Sequence, residues 1–209
     1  MPASVPASLT PRKRPRQARS AATLDAIFEA TIQVLLAGGA RALTTTRVAE
    51  RAGVSVGPMY QYFPHKQSLI HALNERYLEV LAEKVEVTCR AQAGRPVGEM
   101  LDALIETYWR AKTERADVTL ALYRSVAELD NEALVETFSK RVDAATVAML
   151  ETAPDATFRD LKMVNLTLLT VIFGAIRNAF ERSLSPTAIE ALRVELLAMC
   201  KAYLDVARQ

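Results

Sequence analysis

Apolar positions in this chain recur every three or four residues almost throughout, the spacing of one face of an α-helix. Leu24, Ile27, Thr31, Val34 and Leu35 mark a first helix that begins near residue 20. Gly38-Gly39 forms its stop. Leu43 leads into two short helical segments, 45–52 and 55–62. Val48, Ala49 and Ala52 line one side of the first; Gly53 breaks it, Val54 drops back into a core, and Ser55 is placed to cap the second. After Pro64, the stripe Leu69, Leu73, Tyr77, Leu81 and Val85 predicts a long helix over 66–93. Gly94, Pro96 and Gly98 mark a loop, and Leu101, Leu104, Ile105 and Tyr108 predict a helix over 97–114. Two more follow at 118–128 and 131–151. Ala153-Pro154-Asp155 breaks the chain again before two strongly apolar helices, 158–182 and 186–207. No alternating run of useful length is present, so strands are not expected. The expectation is an all-α protein with three helices in a small N-terminal unit and six in a larger body.

The last two helices are apolar on more than one side. Leu161, Val164, Leu168, Val171, Ala175 and Ala179 form one ridge, and Ile189, Leu192, Leu196, Met199 and Tyr203 another. Leu169, Ile172, Phe173, Ile176, Leu197, Cys200 and Leu204 widen both stripes. Such a helix must bury more than one side. One solution is a fully buried pair within a single chain. The other is a homodimer through a two-fold four-helix interface, with Leu161, Leu168, Ile172, Leu192, Leu196, Met199 and Tyr203 as the contact residues.

Composition is that of an ordinary soluble globular protein: half the residues are hydrophobic and 24% are charged. The net charge of +2 conceals an asymmetry. Residues 1–66 hold nine Lys/Arg against three acids, whereas the rest holds 17 against 21. A basic first part suggests a polyanionic partner, with a solvated tail as the alternative. Residues 1–18 contain four prolines among Ser, Arg and Lys, and are expected to be a disordered basic arm. Cys89 and Cys200 are far apart and there are only two histidines, so neither a metal site nor a cofactor is expected. Unpaired cysteines and the absence of an apolar leader point to the cytoplasm. The longest apolar run, 163–176, is too short to span a bilayer and reads as a buried helix. Without a Glu-x-x-His motif, a Gly-rich phosphate loop or paired cysteines, no catalytic constellation is evident, and the chain is not expected to be an enzyme.

Two short helices joined by a tight Gly-containing turn follow the helix-turn-helix plan, whose second helix can enter a DNA major groove. The sequence carrying that plan runs through Leu43-Thr44-Thr45, Val48-Ala49, Ala52-Gly53-Val54-Ser55, Gly57 and Tyr60-Gln61-Tyr62-Phe63-Pro64-His65-Lys66. On these residues, the segment from about 20 to 73 resembles the DNA-binding domain of the TetR family of bacterial repressors. The resemblance implies a DNA-binding domain over 19–66, with its motif at 44–63, and an effector-binding and dimerisation domain over 67–209.

Ser55, Val56, Gly57 and Pro58 fall in the first turn of the recognition helix, where Gly57 lets the backbone approach closely and small side chains avoid a clash with base edges. Pro58 there gives up only an amide that lacks an intrahelical partner, and its ring can meet a thymine methyl. Gln61 has the amide geometry to pair with adenine; the alternative is a solvated side chain. Tyr60 and Tyr62 offer hydroxyls to phosphate, as the matching family positions suggest, with a half-buried ring as the alternative. Phe63 is core. Lys66 opens the long helix, where its charge and the helix end both attract phosphate. Of Thr44, Thr45 and Thr46, one caps the second helix and another can donate to phosphate. Arg47 is either a backbone contact or a free surface cation. The arm Arg12-Lys13-Arg14-Pro15-Arg16 is either a minor-groove contact or a solubilising tail. One departure stands out: the family usually has Asn, Asp or Ser where this chain has His65. Histidine is a weaker helix cap, which predicts a junction that is less rigid or slightly pH-sensitive.

For the body, the resemblance implies a small-molecule pocket whose occupancy shifts a dimer between DNA-competent and DNA-incompetent shapes. Tyr108, Trp109, Tyr123, Phe138, Asn165, Phe173 and Arg177 mix aromatic and polar groups on core helices and are the candidate ligand residues. They point to a mainly hydrophobic ligand, aromatic or cationic. A ligand-independent DNA-binding protein with a solid body is the rival.

Overall fold

Caps and turns set the helix ends. In a computed structural model, the residues described are 18–125 and 131–209. Among them are nine helices: α1 (Ala18–Ala42), α2 (Thr45–Ala52), α3 (Val56–Tyr62), α4 (Lys66–Gln92), α5 (Val97–Thr113), α6 (Ala116–Ser125), α7 (Glu132–Leu150), α8 (Leu161–Glu181) and α9 (Pro186–Ala207). The only β pairing among the described residues is an isolated bridge between Phe158 and Arg208. The basic arm at 12–16 lies outside the described residues. The glycine stop of α1 acts at Gly39, whose φ of 67° interrupts the helix before a last turn to Ala42. The expected start of α8 at 158 moves to Leu161, because Asp160 accepts from the Met163 amide at 3.0 Å and caps it.

The chain divides into two compact units. The first takes residues up to Leu78 together with Ala116–Glu136. Its core gathers Ile27, Phe28, Val34 and Leu35 of α1, Val48 and Ala49 of α2, Met59 of α3, Phe63, and Leu69, Ile70 and Leu73 of α4. Val118 and Leu122 of α6 complete it. The first unit is thus larger than the expected 19–66 segment, because α6 turns its apolar side onto α1. A polar link joins α4 and α6 inside it. Tyr77 and Thr119 share a hydrogen bond of 2.9 Å, and burial pushes the Tyr77 phenol above its ordinary pKa.

The second unit comprises Glu79–Arg115 and Thr137–Gln209. Leu101, Leu104 and Ile105 of α5, Leu168, Ile172 and Ile176 of α8, and Leu196, Cys200 and Leu204 of α9 are buried in it. α8 and the 21–42 part of α1 are long and apolar enough, by length and composition alone, to cross a membrane. Core helices of soluble proteins meet the same description, and both contribute buried apolar residues here. Arg141 grips Glu86 through two hydrogen bonds of 2.7 and 3.0 Å, and this guanidinium holds the Glu86 carboxyl below its usual range. Two loops are stitched together. Gly94, at φ 78°, donates its amide to the Thr152 hydroxyl at 2.8 Å, and the Val97 amide donates to the Asp155 carboxylate at 2.8 Å. Pro96, at the cap of α5, supplies no side-chain hydrogen bond, so Asp155 fills that need from a distant loop.

Candidate nucleic-acid interface

Backbone requirements build the turn between α2 and α3. Thr44 is extended, and its hydroxyl accepts from the Arg47 amide at 3.2 Å, capping α2. Gly53 ends α2 in the left-handed region, at φ 66°, and its amide reaches the carbonyls of Ala49 and Glu50. The Val54 amide then donates to Ala49 at 3.0 Å, turning the chain into α3. Ser55 occupies the cap position of α3, but its hydroxyl makes no capping bond, contrary to the role expected of it.

One side of α3 is pinned. Met59 is fully buried, and Phe63 just beyond the helix lies with its ring centroid 6.0 Å from that of Phe28. Ser55, Val56, Gly57, Pro58, Tyr60 and Gln61 are all exposed, Tyr60 by 45%. A surface helix that turns a tyrosine, a valine and a proline to water has spent its apolar content outside the core. Tyr62 is half-buried, with its ring 6.2 Å from Phe63. A Cβ added at Gly57 would meet nothing within 4 Å, so the fold itself does not require glycine there.

The flanks partly follow expectation. Thr45 is buried, so it is not a surface donor, whereas Thr46 is exposed. Arg47 donates to the Ala42 carbonyl at 3.0 Å and closes the end of α1, so it is engaged rather than free. His65 precedes α4 as a working cap. Its Nδ1 accepts from the Ser68 amide at 3.1 Å, and the Ser68 hydroxyl donates back to the His65 carbonyl at 2.7 Å. The weakness expected of histidine at this junction is offset by that reciprocal pair. Lys66 follows, half-exposed, as the first residue of α4.

The sequence matches the family described as "Bacterial regulatory proteins, tetR family" over residues 27–73, and "Tetracyclin repressor-like, C-terminal domain" over residues 96–204. The chain belongs to the TetR family. This is a family of DNA-binding transcriptional regulators rather than enzymes. Among relatives, the HTH-type transcriptional repressor KstR of Mycolicibacterium smegmatis is 32% identical over 110 residues, covering 53% of each protein. The chain therefore spans about half the length of this relative. Among solved structures, a TetR-family transcriptional regulator from Streptomyces coelicolor aligns with TM-score 0.63 at 25% identity, covering 88% of this chain and 99% of that one. A TetR transcription regulator from Haloarcula marismortui aligns with TM-score 0.71 at 24% identity, covering 90% and 100%.

In the body of this TetR-family chain, the candidate ligand residues divide. Tyr108 of α5 stacks on Phe173 of α8 with ring centroids 4.2 Å apart, and Phe173 lies 5.7 Å from Phe138 of α7. Trp109 is buried beside them in sequence. Asn165, by contrast, serves a buried polar network: its carbonyl accepts from Thr146 at 2.6 Å and its amide donates to Asp143 at 3.1 Å. Arg177 is exposed and pairs with Glu181 at 2.8 Å. Tyr123 belongs to the first compact unit, not to the unit that holds the ring cluster. Sequence reading passed over Lys112, which is only 2% exposed, with its ammonium 5.5 Å from the Tyr108 ring centroid. Burial depresses its pKa to about 7. The signal was present: Leu101, Leu104, Tyr108 and Lys112 share one helical stripe.

The proposed interface residues divide as well. Leu168, Ile172 and Leu196 are buried in the chain's own core and present nothing to a partner. Leu161, Leu192 and Tyr203 are half-buried, and Met199 is exposed. Besides Met199, the large apolar side chains left in solvent on α8 and α9 are Met163, Leu166, Val194 and Val206.

Proposed function

We propose that the protein is a dimeric, ligand-responsive repressor that sets α3 of each subunit into successive major grooves of a palindromic operator. The observation that carries this reading is the exposed face of α3, apolar and aromatic yet held rigidly by buried Met59 and Phe63. Gly57 supports it, because a glycine that the fold does not need fits a helix whose backbone must approach something outside the chain. Ser55, Val56, Pro58 and Gln61 face base edges, while Thr46, Tyr60, Tyr62 and Lys66 meet the sugar-phosphate backbone. Two-fold dimers of this kind place their recognition helices roughly 34–36 Å apart or a multiple of that.

Met163, Leu166 and Met199 support a dimer surface on α8 and α9, since covering apolar groups of that size with a second chain is favourable. A Leu166→Glu chain should sediment as a folded monomer; an unchanged dimer would move the interface elsewhere. The effector reading rests on the Tyr108, Phe138 and Phe173 cluster. Lys112 beside Tyr108 supplies a buried amine that an acidic group would hold protonated, so an apolar molecule that is neutral or acidic fits better than a cation. Its binding releases DNA only in so far as it prefers the DNA-incompetent state. Such a regulator works in the cytoplasm.

The test is operator binding by fluorescence anisotropy across a salt series, using duplexes selected from the source genome. Lys66→Ala should weaken binding about tenfold and lower the magnitude of the log-log salt slope by about one, whatever the duplex sequence. An unchanged slope would remove Lys66 from the phosphate contacts. No binding by the wild-type protein at low salt would remove the function itself.

A further inference from the structure

Resting on the reading of α3 and the start of α4 as the DNA face, we infer that His65 is a phosphate ligand that donates from Nε2 as a neutral imidazole. A backbone N–H can only donate, so the Nδ1 atom 3.1 Å from the Ser68 amide must carry a lone pair. The one ring proton of the neutral imidazole then sits on Nε2. The cap fixes the tautomer as well as the helix end. Among the described residues, Nε2 neither has a protein acceptor nor is sealed in the core.

The arrangement is pre-organised for an anion. Nδ1 is held by Ser68, which is itself buried and bonded back to the His65 carbonyl at 2.7 Å. The ring is therefore oriented before DNA arrives, and little side-chain entropy remains to be lost. Nε2 projects beyond the capping atom, on the opposite side of the ring. Lys66 and the first-turn amides of α4 follow directly, so a full charge, backbone donors and a fixed imidazole donor are gathered within a few residues. A serine at this position would preserve the cap acceptor but reach no further than the cap. The histidine thus adds a contact that a merely structural cap does not supply.

A neutral donor also has a signature that separates it from Lys66. It forms a hydrogen bond to phosphate without adding positive charge, so it contributes affinity but does not change counterion release. The experiment uses the full chain, with operator and unrelated duplex, in two measurements at neutral pH. Long-range 1H–15N spectra of wild-type protein should report the Nε2–H tautomer at His65. Adding duplex should slow exchange of that proton with solvent. His65→Ser should keep the wild-type melting temperature, weaken binding to both duplexes about three- to tenfold, and leave the salt slope unchanged.

Equal affinity of His65→Ser and wild type overturns the proposal, as does an Nδ1–H tautomer in the free protein. A loss accompanied by a slope lower by about one also overturns it, because the imidazole would then be acting as a charge. If His65→Ser does not fold, the wild-type spectra decide alone. Wild-type protein that binds no duplex removes the parent reading, whereas wild-type binding with an indifferent His65→Ser removes only this inference.

Discussion

The recognition helix and the body helices use apolar residues in opposite ways. α3 buries a single side chain, Met59, and turns Val56, Pro58 and Tyr60 to solvent. α8 buries eight residues, including polar Asn165, within the chain's own core. In the first unit, the proposed DNA face is made of exposed apolar groups, and the buried ones form its anchor. In the body, buried polar groups carry the information: the Asn165–Thr146–Asp143 network is structural, whereas Lys112 sits against a stack of rings. An aromatic or polar residue in a helix thus has no fixed meaning until its burial is known.

The largest effect should come from breaking the anchor. Phe63→Ala removes a fully buried ring that packs against Phe28, and should cost the first unit about 3–5 kcal/mol in urea denaturation. DNA binding should be lost with it. A variant that still binds operator would mean that α3 does not depend on this anchor.

A smaller effect sharpens the other side of the comparison. The Lys112 amine titrates near 10.5 when unfolded and near 7 when folded, so between those values the unfolded chain holds the extra proton. Stability must then rise with pH, by up to ~1.4 kcal/mol per unit. Cys89 opposes this above about 9, because burial pushes its thiol up to about 11 and the folded state then keeps the proton. The clean window is therefore about pH 7 to 8.5, where a gain of about 2 kcal/mol is expected from chemical denaturation. A flat or falling curve there would contradict the buried amine.

The smallest effect is the most pointed. Gly57→Ala meets no atom within 4 Å and should leave the fold intact or stabilise it by at most about 1 kcal/mol. Operator affinity should nevertheless fall. Unchanged binding would show that the backbone at Gly57 does not approach DNA closely.

The helix-turn-helix was readable because its residues stand at fixed offsets for backbone reasons. Gly53 supplies the left-handed turn, Thr44 the cap and Met59 the plug, and none of these depends on a distant part of the chain. The boundary of α9 was equally local, since Ser185 accepts from the Ala188 amide at 3.2 Å and Pro186 opens the helix. What periodicity could not tell was which partner an apolar stripe meets. Leu196 and Met199 stand three residues apart on one stripe, yet Leu196 faces the core and Met199 faces solvent. The allegiance of α6 to the first unit was hidden for the same reason: Val118 and Leu122 look like any helical pair until α1 is beside them. Asn165 and Arg177 looked like pocket lining because a sequence does not reveal that Asp143, Thr146 and Glu181 already engage them. His65 read as a poor cap because the reciprocal bond from Ser68 is a matter of geometry, not of residue type.

The distant cap on α5 has a consequence for biosynthesis. Asp155 completes the start of that helix from 58 residues downstream. At roughly 5–20 residues per second, the ribosome delivers that carboxylate about three to twelve seconds after Val97 has been made. Throughout that interval the nascent α5 begins with an amide its own neighbours leave unanswered, so the second unit cannot reach its final form while its chain is still half translated.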